Sequence, residues 1–515
     1  MRASAAVATV ETAEGRFHMA RDDFESIIEL LRSSETRELN HREVEDLLDT
    51  RGRELMLKLL QAHIDSRGPG EAAAPVQGAD GVERNRPRMH DRELPNLFGT
   101  ARVRRLGYGE DGVDSLHPLD AELNLPKESY SFGLRRRVAE EASKASFDEV
   151  VACLEKHTGT PVPKRQVEQL VARAAQDFDT FYDQRPPPKE DTSTDLLVIT
   201  ADAKGVVMLR QDLREDTRKK AEKRRRTLGQ RLTKGEKKNA KRMATVTGVY
   251  TVAPFVRTPE QFALALAGER APTAPDRPRP QNKRLWASLE KEPDEALEQA
   301  FAEAQSRDLD HAKTWVALVD GNKEQLQNLK LLAAPRGVDL TIILDIMHVC
   351  EYVWKASLCF HGEKEPAREL WVQERMLRIL QGHSSQVAAG ITRSATMRGL
   401  TTQARKAADA CAGYLLNHTS YLRYDRYLAA GMPIATGVIE GACRYLIKDR
   451  MDITGARWRL KSAEAVLRLR ALRKNGDFEE YWQFHEKREY ERNHSSRYAA
   501  GKVVPIRGRH LKRTK

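Results

Sequence analysis

Four acidic residues stand where they could share one task. Apolar, strand-forming runs at 196–201, 315–319 and 340–344 lead into Asp202, Asp320 and Asp345. A fourth acid, Glu440, follows Val438 and Ile439 much later in the chain. A carboxylate after a buried strand is a negative charge on a rigid edge. Several that converge can hold divalent metal ions, because hard cations take oxygen ligands. Two such ions can activate a nucleophile and stabilise a leaving oxygen in phosphoryl transfer. These residue types therefore point to metal-dependent chemistry on a phosphodiester.

Asp320 and Asp345 compete as partner of Asp202. Two metal ions about 3.5–4 Å apart need ligands from neighbouring strands. If the strand at 314–320 lies beside the one carrying Asp202, geometry favours Asp320. Asp345 then belongs to a DxxH unit with His348, where strand turns into helix. Each residue also has a plainer reading. An aspartate after a strand often caps the next helix; Asp320-Gly321-Asn322 could be a turn, and His348 a packing residue.

Glu440 lies in GVIEGACRYLIKDRMDITGARW (437–458), where Gly437 and Gly441 bracket a turn into helix. Arg444, Ile447 and Lys448 follow it at helical spacing, so basic side chains share its side. Arg444, Lys448 and Arg457 could hold phosphate. Trp458 reads as a packing anchor or as a platform for an unpaired base. The plain alternative is a surface helix with an ordinary ion pair.

Three antiparallel strands followed by strand–helix–strand would position these acids. Residues 196–210 read as two strands joined at 202–205, and 243–254 as a third. Residues 258–310 read as mostly helical, with strands at 314–320 and 339–345 around a helix at 322–331. That order is a mixed sheet of the ribonuclease H type, with the first strand central and the fourth parallel beside it. From His348 to Glu440 the pattern is nearly all helical, an α-helical insertion ahead of the last acid.

The N-terminal part is helical at 17–66, with a Gly/Pro-rich linker at 67–99 and a basic strand at 100–108. Residues 131–182 are helical again. Ser146 and Glu149 form a capping-box pattern. A break at 158–161 precedes a helix opening with Lys164, Arg165 and Gln166. Two helices across a short Gly-containing turn fit either a plain hairpin or a DNA-binding helix-turn-helix. Arg135, Arg136 and Arg137 nearby favour DNA. Residues 218–242, which include Arg224, Arg225 and Arg226, are dense in Lys and Arg and suit phosphate contacts.

The expected organisation is a multidomain α and α/β chain. It comprises a helical region (1–66), the linker (67–99), a helix-turn-helix-like domain (100–185), a sheet domain in two parts (194–360 and 436–486), the all-α insertion (361–435) and a basic tail (487–515). With 515 residues and 40% hydrophobic content there is enough apolar mass for several cores. A formal net charge of +12 favours a polyanionic partner, nucleic acid above all. Five cysteines without a CxxC pair argue against a disulfide framework or a cysteine-based zinc site. The N-terminus is a poor signal peptide and no run reaches membrane-spanning length. The expectation is a cytoplasmic, nucleoid-associated protein with no membrane partner.

The chain resembles bacterial insertion-sequence transposases of the ISKra group, relatives of the Mutator-like DDE enzymes. The resemblance runs through LHPLDAELNLP (116–126), SFDEVVACLEKHTG (146–159), VITADAKGV (198–206), ALVDGNKEQL (317–326), LDIMHVCEYVW (344–354), the 437–458 segment and AEAVLRLRAL (463–472). It implies a ribonuclease H-like catalytic domain with an all-α insertion, two Mg²⁺ ions (Mn²⁺ as substitute), double-stranded DNA as partner and a homo-oligomer. By position it implies Asp202, Asp320 and Glu440 as catalytic metal ligands and Asp345 with His348 as a supporting DxxH, the choice between Asp320 and Asp345 staying open. Some relatives carry N-terminal cysteine pairs; YGEDGVDSLHPLD has none, so no zinc site is expected there. The activity implied is cleavage at transposon ends and joining of the 3′-hydroxyl to target DNA. The alternative is an inactive transposase acting as a DNA-binding regulator.

Overall fold

The computed structural model describes residues 15–188, 195–223, 236–237, 239–269, 276–453 and 455–507. The chain forms two compact units, one from residues 1–183 with 477–515, the other from 184–476.

In the first unit, helices α1 (His18–Arg32) and α2 (His41–Ser66) pack together. Asn40 and Glu43 close a capping box at the start of α2. Strands β1 (Arg86–Asn96), β2 (Gly99–Glu110) and β3 (Val113–Leu116) form an antiparallel meander. Helices α3 (Phe132–Ala142), α4 (Phe147–Thr158) and α5 (Lys164–Ala174) pack on one another through Val138, Val150, Leu154, Val167 and Val171, all fully buried. The Ser146–Glu149 capping box starts α4, and Gly159 ends it at φ 63°, a left-handed position that suits glycine.

Two expectations fail in this unit. Part of the 67–99 stretch, read as linker, is β1, which pairs with β2 along its whole length and buries Leu94. Residues 487–507, read as tail, continue the helix Phe478–Asn493 and return to the unit. Tyr498 and Ile506 are buried in its two apolar clusters, beside Tyr108 and Leu116, and beside Ile64 and Leu119. Charge in this stretch is partly neutralised internally, as where Arg492 pairs with Asp177 and Glu489.

The second unit is built on a five-stranded mixed sheet. Its strands are β4 (Leu196–Val207), β5 (Lys241–Val252), β6 (Gln281–Ser288), β7 (Thr314–Val319) and β8 (Leu340–Leu344). The order is β8-β7-β4-β5-β6. β4, β5 and β6 are antiparallel, while β7 and β8 run parallel to β4. The central β4 is fully buried from Leu196 to Ala201, as a strand paired on both edges and covered on both faces must be. Helix α6 (Pro293–Arg307) precedes β7, and α7 (Lys323–Ala333) joins it to β8. Then come α8 (Ile346–Ser357), α9 (Pro366–Leu380), α10 (Ser384–Met397), α11 (Lys406–Asn417), α12 (Tyr424–Ala429), α13 (Gly437–Ala442) and α14 (Leu460–Asn475).

The sheet corrects two readings. Residues 196–207 form one strand rather than two, because β5 pairs with it through Asp202 to Val207 without a break. The third antiparallel strand is β6, inside the stretch read as helical. Its first half is polar and only Leu285–Ser288 are fully buried, so it lacks a readable apolar alternation. Among the described residues, no helix is long and apolar enough to cross a membrane.

Candidate active site

Asp202 sits inside β4, at the point where that strand loses a neighbour. The β4–β7 ladder ends at Thr200↔Leu318, two residues before Asp202 and Asp320. The β7–β8 ladder ends at Val319↔Leu344, one residue before Asp320 and Asp345. The three aspartates therefore stand level on adjacent strands, which lie ~4.8 Å apart. Asp202 and Asp320 line a cavity of about 120 Å³ with Thr245, Asn322 and Gln325. Gln325 donates to the Ala201 carbonyl at 3.1 Å and leaves its buried Oε1 without a partner among the described residues.

The turn after Asp320 is tightly built. The Asp320 carboxylate accepts from the Asn322 amide at 3.1 Å, and Asn322 caps α7. Gly321 holds φ 92°, and a Cβ there would lie 3.0 Å from the Tyr414 hydroxyl and 3.1 Å from Leu344. Tyr414, from α11, donates to the Asp320 carbonyl at 3.0 Å. Its ring stacks on Tyr352 at 4.2 Å, and His348 lies against both rings. His348 thus belongs to an aromatic cluster that fastens the helical segment over the Asp320 turn.

Asp345 has a different role. It is 5% exposed, and its carboxylate caps α8 through the Met347 amide. It also accepts from the Thr436 amide at 3.1 Å and the Thr436 hydroxyl at 2.6 Å. Thr436 is the residue before α13, the helix that carries Glu440. Asp345 is therefore a strut that ties the Glu440 helix to the end of the sheet.

Glu440 is exposed on α13, and the chain then passes through a π-helical turn, Cys443–Lys448. The Cys443 thiol donates to Asp202 Oδ2 at 3.2 Å. Partial desolvation and the charges of Asp345, Asp202 and Glu351 raise the Glu440 carboxyl above its ordinary range. Burial and the Asp202 carboxylate also raise the Cys443 thiol, which keeps it protonated and able to donate. The causes of the Glu440 shift are repulsion and desolvation, with no cation among them. Carboxylates crowded without compensation are a recurring feature of functional sites.

These residues fit a hard divalent cation. The donors are all carboxylate oxygens, Glu440 carries repulsion that a cation would relieve, and Gln325 offers an orphaned acceptor beside Asp202 and Asp320. Among the described residues, Asp202, Asp320 and Glu440 do not close to within 4.8 Å of one another. The group of three that does close, among the described residues, is Asp177, His485 and Glu489, in the other unit.

No family model matches the chain, and no curated protein is significantly similar to it.

The candidate DNA contacts divide. Arg444, Lys448 and Arg457 are exposed. The π turn breaks the simple helical spacing from Glu440, and Arg444 leans toward Asp449 at 3.8 Å. Trp458 cannot stack on a base as it stands. It is 5% exposed, donates to the Met451 carbonyl at 3.0 Å and lies under Arg450. At the start of α5, Lys164 and Arg165 are exposed and Gln166 half-buried, with Lys164 paired to Asp148 at 2.7 Å. Arg135 is buried among Glu128, Glu489 and the Tyr130 carbonyl, so the arginine cluster that favoured DNA is partly internal. Arg224, Arg225 and Arg226 lie outside the described residues. Thr436, Cys443, Tyr414 and Gln325 escaped the sequence reading. Cys443, three residues after Glu440 and so on its side of a helix, had the only sequence signal.

Proposed function

We propose that the chain is a DDE-type DNA transposase, a metal-dependent polynucleotidyl transferase that cuts at transposon ends and joins the 3′-hydroxyl to target DNA. The observation that carries this reading is that Asp202 and Asp320 stand level on adjacent strands, with Glu440, delivered from beyond the helical segment, near enough for the charges of Asp345 and Asp202 to act on it. The strand order β8-β7-β4-β5-β6 supports a ribonuclease H-like catalytic domain, with the helices between residues 361 and 435 as its all-α insertion. The α4–α5 pair supports a helix-turn-helix role for the first unit. A homo-oligomer acting in the bacterial cytoplasm completes the proposal.

Asp202, Asp320 and Glu440 would hold two Mg²⁺ ions, with Mn²⁺ as substitute. When bound, such ions lower the pKa of water and neutralise charge on a leaving oxygen. The protein's own groups do the rest. Asp202 stands beside Asp320, on the adjacent strand, and bonds to Cys443, three residues beyond Glu440. Asp345 and Thr436 hold the Glu440 helix in reach, and the Cys443 thiol orients Asp202. Tyr414 fixes the Asp320 turn. Lys204, exposed two residues beyond Asp202, and the exposed Arg444, Lys448 and Arg457 are available to DNA phosphates.

The test is strand cleavage and joining on DNA carrying the element's ends, with Mg²⁺ or Mn²⁺. Loss of a metal ligand removes several kcal/mol of transition-state stabilisation, so Asp202→Ala should lose on the order of a thousandfold in rate. Wild-type rates in that variant would sink the reading. Metal-independent end binding with no cleavage by the wild type would favour the non-catalytic regulator.

A further inference from the structure

A second cavity, of about 330 Å³, opens in the first unit. The LHPLDAELNLP segment (116–126) supplies much of its wall, and that segment has no part in the acidic site. Arg92, Arg105, Lys127 and Arg497 line the cavity against two carboxylates, Asp114 and Asp120. Asp120 is already engaged, with Arg105 Nε at 2.8 Å and Arg92 at 3.8 Å. The cavity therefore keeps a positive surplus. His117 adds no charge, since burial and then Arg105, His90, Arg497 and Arg92 push its pKa down to about 3.

Three buried polar atoms at this cavity lack a hydrogen-bond partner among the described residues, Arg105 Nη1, the Tyr498 hydroxyl and Asp120 Oδ1, the last of which is ion-paired with Arg105 Nε. Tyr498 is only 2% exposed. Folded proteins leave few buried donors unpaired, and each calls for an explanation. A guanidinium can only donate, so what is missing beside Arg105 is an acceptor. Arg497 uses one nitrogen on the Ser115 carbonyl at 3.2 Å. Lys127 is exposed. Guanidinium groups match phosphate oxygens in both charge and shape. The volume sits at the small end of ligand sites, roughly 300–1,000 Å³.

We propose that this cavity binds a phosphoryl group, held by Arg105, Arg497 and Lys127 with the Tyr498 hydroxyl as a further donor. The carrier is either a DNA strand end or a free phosphate or nucleotide, the recognition being the same for each. This site is separate from the acidic one and does not depend on how that one is read.

The test is calorimetric titration of the full chain at fixed ionic strength. The probes are inorganic phosphate, a nucleoside monophosphate, and one oligonucleotide with and without a 5′-phosphate. Tyr498→Phe removes only a hydroxyl that has no partner among the described residues, so its Tm should hold or rise. Its phosphate binding should weaken by about tenfold, the effect of one hydrogen bond to a charged group. Lys127→Ala should weaken binding while leaving the Tm unchanged. Binding of inorganic phosphate or the mononucleotide supports the site with a free carrier. Preference for the phosphorylated oligonucleotide alone supports it with a strand end. If no phosphorylated probe binds better than its unphosphorylated counterpart or than chloride, the proposal falls. It also falls if both variants bind phosphate as the wild type does.

Discussion

Two acidic clusters in this chain look alike on paper and differ in charge balance. In the first unit, Asp177, His485 and Glu489 are buried and lie within 4.8 Å of one another. Arg492 pairs with both carboxylates, and Arg135, Gln176 and Asn493 also bond Glu489. In the second unit, Asp202, Asp320, Asp345 and Glu440 gather at a sheet end, and among the described residues no arginine is bonded to them. The tighter cluster is internally neutralised and reads as structure. The looser one keeps its repulsion and reads as a site. Proximity of carboxylates is thus a weaker guide to function than the absence of their counter-charges.

The largest effect should come from unbalancing the neutral cluster. Glu489→Ala leaves Arg135 buried with one counter-charge fewer, and removing one partner of a buried pair costs about 3–5 kcal/mol. Glu440→Gln should cost nothing and could stabilise, since it removes repulsion. Denaturant unfolding of the two variants checks this, and equal losses would erase the distinction.

A divalent cation should separate the clusters next. Mg²⁺ or Mn²⁺ should raise the Tm of the wild type, by about 2.7 kcal/mol of stability at a hundred times its Kd. Asp202→Ala and Glu440→Gln should lose that gain. His485→Gln, though less stable, should keep it. A gain lost in His485→Gln and kept in Asp202→Ala would move the metal site to the first unit.

Much of this contrast could be read from sequence, though not all. The runs before Asp320 and Asp345 are continuous and apolar, so their strands were legible. Asp202 was found, but its place inside one long strand was not, because Asp-Ala-Lys-Gly has the composition of a turn. Only the β5 ladder decides otherwise. Strand β6 hid behind its polar first half. The neutral cluster was illegible for a different reason: Asp177 meets His485 across most of the chain, and no local pattern encodes such a pairing. Thr436 and Cys443 act through contacts that exist only once α13 is docked. Trp458, read as a base platform or an anchor, proved the anchor because its indole N–H is satisfied internally.

Acid should pull the clusters in opposite directions. The Glu440 carboxyl is raised above its ordinary 4.5. The folded state then binds this proton more tightly than the unfolded state, so its contribution to stability grows as pH falls through the raised value toward 4.5. Asp177 is lowered below its ordinary 3.8; burial pushes it up, but His485 and Arg492 outweigh that. Its contribution is present above 3.8 and is lost as pH falls through the lower folded value. Without divalent metal, the stability difference between wild type and Glu440→Gln should therefore shift in favour of the wild type from pH 7 to 4.5. The penalty of Asp177→Asn should shrink below pH 3.8. Parallel profiles for the two variants would mean that the clusters are electrostatically alike.

The smallest effect lies in one thiol. Cys443 donates to the Asp202 carboxylate, and a single hydrogen bond is worth about 1 kcal/mol. Cys443→Ser keeps a donor at that position, whereas Cys443→Ala removes it and frees Asp202 Oδ2. If the thiol only packs, the two variants should differ from wild type by similar small amounts in Tm and not at all in cation affinity. If it orients Asp202, Cys443→Ala should change Mn²⁺ affinity by several-fold, and Cys443→Ser should restore it toward wild type. The affinity rather than the Tm decides, because orientation of a ligand changes what the cation meets and packing does not.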